Sequence, residues 1–251
     1  MHRPKRLGWL IMTALLVVPA FQGIDPAELD RVEAQSRIVE PRDGSRIFAE
    51  GDPADAVFAI IGGSGHVRIG AVDRGSKGLM IEVFRTGGIF GEIGVLDGNT
   101  RSADAIAEGR VRLLRITSRV FRDLLHSNAQ LGENLSIEFA HRLRRTSNLF
   151  RDATFESLEV RLAKQVLYLG SREGRRTEHG LVLAGRFRQS DLADLLGATT
   201  RSIITILNAW RADGLVIYDP ARAQLTLCNE DELRRSGTPA TSRAPHPPRY
   251  Q

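Results

Sequence analysis

The chain has 251 residues, a net charge of +5, 42% hydrophobic and 26% charged side chains, enough for one large or two modest cores. Its single cysteine, Cys228, and six histidines without metal-ligand spacing exclude a disulfide framework, a cysteine-ligated zinc site or an iron–sulfur cluster built from one chain; no metal is expected. The small basic excess lies mostly in the second half, the sign expected of a region that meets nucleic acid.

At the N-terminus, His2-Arg3-Pro4-Lys5-Arg6 and the apolar run from Trp9 to Ala20 imitate a secretory leader. The run is too short to span a bilayer comfortably. Our reading takes Met12 as the start, with Met12-Thr13-Ala14-Leu15-Leu16 leading into a helix and residues 1–11 as upstream sequence. Between residues 37 and 116, strand-length runs occur at 46–48, 56–61, 66–69, 79–84 and 111–116. They are separated by Gly51-Asp52, Gly62-Gly63-Ser64-Gly65, Gly75-Ser76 and Gly87-Gly88. Short strands at such spacing predict an antiparallel barrel or roll.

Within this region, Phe90-Gly91-Glu92-Ile93-Gly94-Val95-Leu96 is followed by Arg101-Ser102-Ala103. Gly91 permits close backbone approach, Glu92 can accept from a sugar hydroxyl, and Arg101 offers a planar fork to a phosphate. Ser102 and the small Ala103 leave backbone N–H groups to complete a phosphate cradle.

After Ser118 the period changes. Leu131, Leu135, Phe139, Leu143, Thr146 and Phe150 recur at steps of three and four, one stripe of a long helix. With no partner nearby in sequence, the stripe predicts dimerisation. A second amphipathic helix is expected over residues 156–169, then a polar loop from Ser171 to Gly180.

The segment from Ser190 to Ile203 fits a helix-turn-helix: Leu192, Leu195 and Leu196 face a core, Ala193 allows close crossing, and Gly197 makes the turn. Ile203, Ile206 and Leu207 anchor the next helix, whose outer face shows Thr199, Thr200, Arg201, Ile204, Thr205 and Asn208. Hydroxyl and N–H groups there suit phosphates, and Arg201 suits guanine in the major groove. Residues 213–220 and 224–227 read as a β-hairpin wing, and the Arg-, Ser- and Pro-rich residues after Glu232 read as a disordered tail. No Walker loop, nucleophile elbow or metal cluster is present, so neither catalytic residues nor an enzyme are expected.

Together these pieces resemble the Crp/Fnr superfamily of bacterial transcription regulators over roughly residues 13–230. Ile47-Phe48-Ala49-Glu50-Gly51-Asp52 is similar to the family's opening barrel signature, and Phe90-Gly91-Glu92 with Arg101-Ser102-Ala103 to its cyclic-nucleotide cassette. The resemblance implies an α+β chain. A cyclic-nucleotide-binding β-roll spans 13–117, helices including the dimerisation helix 118–152, and a winged helix-turn-helix 153–230, with a disordered tail at 231–251. It implies that Glu92 holds the ribose 2′-hydroxyl beside the close backbone approach at Gly91, that Arg101 and Ser102 hold the phosphate, and that Thr146 and the partner copy's Ser147 meet the base. Cyclic AMP is the implied allosteric ligand, and no other cofactor is expected. The implied partners are palindromic double-stranded DNA through Thr199, Thr200, Arg201, Ile204 and Thr205, a second copy, and RNA polymerase, in the cytoplasm. Two departures stand out. Glu82 and Arg85 lie where cyclic AMP-binding members place apolar and serine contacts, and Thr200, Arg201 and Thr205 replace an Arg–Glu–Arg reading set. A regulator of the same fold with another ligand or none is the alternative reading; a nucleotide-binding regulatory subunit is disfavoured by the winged helix.

Overall fold

The computed structural model describes residues 15–72, 78–183 and 187–236, so Met12 and the proposed upstream residues lie outside the described residues. The chain forms two compact units, one ending at Arg145 and the other beginning at Thr146.

In the first unit, Leu15, Val18, Ala20 and Phe21 are buried around a single 3-10 turn, Pro19–Phe21. The described part of the leader-like run therefore contributes side chains to the core. Helix α1 (Pro26–Ala34) starts where the Asp25 carboxylate accepts from the Ala27 N–H at 2.7 Å and Pro26 presets the first turn. Eight strands follow: β1 (Arg37–Val39), β2 (Arg46–Phe48), β3 (Ala56–Gly63), β4 (His66–Val72), β5 (Gly78–Phe84), β6 (Ile89–Phe90), β7 (Asp104–Glu108) and β8 (Val111–Thr117). They pair antiparallel as two sheets, β1-β8-β3-β6 and β2-β7-β4-β5.

Strand β3 carries the organising pattern. Ala56, Phe58 and Ile60 face a core between the sheets with Val67, Phe84, Phe90 and Leu113. Val57, Ala59 and Ile61 face the opposite way, toward Leu29, Ile116, Phe121 and Leu131. A strand buried on both faces reads as an unbroken apolar run, as residues 56–61 do. Strands β1, β6 and β7 were not among the runs expected from sequence. The first two have only three and two residues, and β7 sets small alanines between acidic ends.

Helices α2 (Glu92–Asp97), α3 (Ser118–Ser127) and α4 (Ala129–Phe155) complete the middle of the chain. The stripe on α4 divides, correcting the single dimerisation face expected from its spacing. Leu131 and Leu135 are buried and Phe139 packs against the same core, whereas Leu143 is 69% and Phe150 76% exposed. The first turns of the helix are core of their own unit.

The second unit contains α5 (Leu158–Glu173), β9 (Arg175–Thr177), β10 (Gly180–Val182), α6 (Gln189–Leu196), α7 (Thr200–Ala212), β11 (Val216–Asp219), β12 (Gln224–Leu227) and α8 (Glu230–Ser236). Its sheet runs β11-β12-β10-β9, so the expected two-stranded wing is half of a larger sheet, and the loop expected from Ser171 to Gly180 holds strand β9. The start of the expected tail is also corrected: residues 231–236 belong to α8, and Leu233 is fully buried against α5-side residues of the second core. Charged neighbours hide this one anchoring leucine in the composition. Trp210, also buried, donates its indole N–H to Glu159 at 2.9 Å, which satisfies the polar end of a large core ring.

Candidate functional site

The turn from β6 into α2 is made by Gly91, whose φ of 78° lies in the left-handed region. A Cβ there would sit 2.7 Å from Arg101 Nη1 and 3.3 Å from the Phe48 ring. Glycine is thus required twice, by the backbone and by the arginine that fills the space.

Arg101 is 3% exposed. Its guanidinium lies over the Phe48 ring, 4.2 Å from the centroid. Nη1 donates to the Gly91 carbonyl at 2.7 Å and Nη2 to Asp55 at 3.3 Å, while the Nε–H is buried with no acceptor. Asp55 also accepts from Arg115 at 2.5 Å. Burial lowers the Arg101 pKa from the ordinary guanidinium value, and Asp55 opposes that shift. Ser102 is exposed beside it and Ala103 is buried.

Glu92, the first residue of α2, is 1% exposed. Its Oε1 accepts from Arg142 Nη1 at 2.5 Å; Arg142 Nη2 donates to the Ile89 carbonyl at 2.9 Å and to Glu138 at 2.7 Å. The same guanidinium stands 4.6 Å over the Phe84 ring. Burial pushes the Glu92 carboxyl above the usual carboxylate range, with Arg142 pulling the other way. Burial also works against the Arg142 charge, but Glu92 and Glu138 more than offset it and raise its pKa.

The structure therefore brings Gly91, Glu92, Arg101 and Ser102 together at one end of the roll. Thr146 and Ser147 are exposed on α4, in the second unit. Sequence reasoning missed three participants: Asp55, Arg142 and the Phe48 ring as a platform. Neither charge pairing was legible, because Arg142 lies 50 positions from Glu92 and Asp55 lies 46 from Arg101.

In the second unit, Gly197 closes α6 at φ 60°, and Arg161 donates to the Leu196 carbonyl. The Asp191 carboxylate accepts from the Arg188 N–H at the helix start, 2.8 Å away. Leu192, Leu196, Ile203 and Leu207 are buried; Leu195, expected with them, is only half-buried. On α7, Thr199, Thr200, Arg201, Thr205 and Asn208 are exposed and Ile204 is half-buried. Two hydroxyls are already engaged. Thr199 accepts from the Ser202 N–H at 3.2 Å as helix cap, and Thr205 donates to the Arg201 carbonyl at 3.0 Å. Among the described residues, Arg201 forms no ion pair.

Residues 38–128 match the cyclic nucleotide-binding domain, and residues 160–236 match the Crp-like helix-turn-helix domain. The chain is 30% identical over 183 residues to a CRP-like cAMP-activated global transcriptional regulator of Mycobacterium tuberculosis, covering 73% of this chain and 81% of that protein. It is 27% identical over 208 residues to the cyclic AMP receptor protein of Thermus thermophilus, covering 82% and 92%. The fold is shared with the c-di-GMP-responsive regulator CLP of Xanthomonas campestris: TM-score 0.70, 22% identity, 82% of this chain and 100% of that one. These relatives are transcription regulators rather than enzymes, and no helix among the described residues is long and apolar enough to cross a membrane. A nucleotide-binding roll followed by a helix-turn-helix places this chain in the Crp/Fnr family of DNA-binding transcription regulators.

Proposed function

We propose that the chain acts as a homodimer whose grip on a palindromic DNA site is switched by a cyclic purine nucleotide. The observation that carries this reading is the cradle at the α2 N-terminus: a buried guanidinium, Arg101, with an unused Nε–H, next to the exposed Ser102 and the buried carboxylate Glu92. A cyclic phosphate on Arg101 and Ser102 and a ribose hydroxyl on Glu92 use the complementary charges. The names of the relatives make cyclic AMP the first candidate.

Thr146 and Ser147 extend the site toward the base, the latter from the partner copy, and the exposed Leu143 and Phe150 supply the pairing face. Ligand binding then sets the orientation of two reading heads. These carry Thr199, Thr200, Arg201, Ile204 and Thr205 to half-sites about 34 Å apart. Switching the population requires roughly 5 kcal/mol of differential binding, shared by two ligands. RNA polymerase is the further partner of such a regulator. In this division the nucleotide domain ends near residue 117 and the reading head begins near 153.

One observation favours a ligand-independent regulator of the same fold. Asp55 and Arg142 already supply opposite charges to Arg101 and Glu92. Titration calorimetry of the full chain with cyclic AMP and related nucleotides, before and after Arg101→Leu, separates the readings. Binding that is lost in the variant supports the switch. Operator binding by the native chain that ignores every cyclic nucleotide supports the alternative.

A further inference from the structure

Helix α7 is anchored along one face, which decides what the opposite face presents. At about 100° per residue, Ile203, Leu207 and Trp210 share one arc of about 60°, and all three are buried in the second core. The indole bond from Trp210 to Glu159 fastens that face further, so the helix cannot roll without exposing a large core ring. Arg201, Thr205 and Asn208 share a second arc of about 60° on the far side, and all three are exposed. They differ in what they have left to offer. The Thr205 hydroxyl donates to the Arg201 carbonyl at 3.0 Å, which commits its donor to the helix backbone. Among the described residues, no hydrogen bond or ion pair engages the side chains of Arg201 and Asn208. Asn208 also has no local structural task. Asparagine is a poor helix former, and at this position it caps neither end of a helix that runs from Thr200 to Ala212.

We infer that Asn208 reads an adenine in the major groove and, together with Arg201, defines the half-site the head selects. This rests on α7 as the DNA-reading helix of the proposed function and is independent of the nucleotide. A carboxamide sets an acceptor beside a donor in one plane. Adenine presents the complement on its major-groove edge, an N6 amino donor beside the N7 acceptor, so Oδ1 accepts from N6 and Nδ2 donates to N7. Guanine shows two acceptors there, cytosine only a donor and thymine only an acceptor; each leaves one arm of the amide unmatched. Arg201, two turns earlier on the same face, carries the fork that fits guanine N7 and O6. Seven residues at a rise of 1.5 Å separate the two side chains by about 10.5 Å along the helix. With the helix lying obliquely in the groove, that length covers about two or three base-pair steps. The half-site therefore contains a G·C pair and an A·T pair about two or three steps apart. The Thr205 methyl group, between them, suits a thymine methyl.

The test is selection by the full-length protein from a randomised duplex library at fixed salt, with cyclic AMP present and absent. Anisotropy titration of the selected duplex and its single-base-pair variants follows. The selected half-site should carry the G·C and A·T pairs at the stated separation. Asn208→Ala should reduce discrimination at the A·T pair by about tenfold or more and leave the G·C preference intact; Arg201→Ala should do the converse. Alanine favours an exposed mid-helix position, so the thermal midpoint of Asn208→Ala should be unchanged or slightly higher. A selected half-site without the A·T pair overturns the adenine assignment. So does an Asn208→Ala protein whose preferences are unmoved, or one that loses affinity equally on every duplex, the mark of a phosphate contact. If Arg201→Ala also leaves every preference unmoved, α7 is not the reading helix, and that part of the proposed function falls as well. Selection of the same half-site with equal affinity in both nucleotide conditions removes the switch and leaves Asn208 in its role.

Discussion

Arg142 on α4 donates to Glu92 at the start of α2 across 2.5 Å, so the carboxylate at the heart of the cradle is held by the helix and not by the roll alone. Glu92 is almost wholly enclosed, and its charge is tolerable only with that partner. Removing one member of a buried pair costs about 3–5 kcal/mol because the other charge is stranded. Arg142→Leu should therefore lower unfolding free energy by about 3 kcal/mol, and adding Glu92→Gln should recover more than half of the loss. Urea titration of the three proteins checks this; an additive double variant would show that the pair is not coupled.

Gly91 provides a sharper probe of the cradle. In Gly91→Ala the new methyl group meets Arg101 Nη1 at 2.7 Å on a backbone already at positive φ. The arginine must move from the Phe48 face. Nucleotide affinity is expected to fall by at least about tenfold, with a stability loss of about 1–2 kcal/mol. Calorimetry and thermal unfolding on the same sample distinguish displacement of the guanidinium from general unfolding.

Glu33 sets a pH dependence away from the site. Burial, reinforced by Asp30, raises its carboxyl to about 7, and its Oε1 is buried with no partner. The folded chain keeps a proton that the unfolded chain releases near 4.5, so this residue lowers stability as pH rises from about 4.5 to 7. Glu33→Gln should flatten that interval and stabilise the protein at pH 8 by about 1–2 kcal/mol after allowance for screening. Chemical denaturation at four or five pH values provides the measurement.

On α7, Arg201→Ala should relax preference at one base pair by about 1–3 kcal/mol. An equal loss on every sequence would instead mark Arg201 as a phosphate contact. Thr199→Ala should behave differently, removing the cap to Ser202 and about 1 kcal/mol of stability. Binding to a panel of singly altered operators, beside unfolding curves, tells the two apart.

Ala223 is the one non-glycine residue with positive φ, 49°, among the described residues. It closes the turn between β11 and β12, where Asp219 accepts from the N–H groups of Ala221 and Arg222. Ala223→Gly relieves the left-handed strain and should stabilise the protein by about 0.5–1 kcal/mol, read as a rise in thermal midpoint.

Much of the local grammar of this chain is legible in its residues. Alternating or unbroken apolar runs specify β3, β5 and β8; Asp25 and Thr199 stand at helix starts; Gly197 between two apolar helices specifies the reading head. The cassette was equally legible, because Gly91, Glu92, Arg101 and Ser102 are close in sequence and chemically suited to one ligand. Folding alone decided which distant groups balance their charges. Asp55 reaches Arg101, Arg142 reaches Glu92, and Arg145 reaches Glu82. It also decided that the first turns of α4 are core rather than interface, and that Leu233 anchors a final helix in a segment whose composition reads as disordered. The reason is one of range. Periodicity and capping depend on neighbours within a few residues, whereas burial of a charge or an apolar stripe depends on what the rest of the chain brings against it.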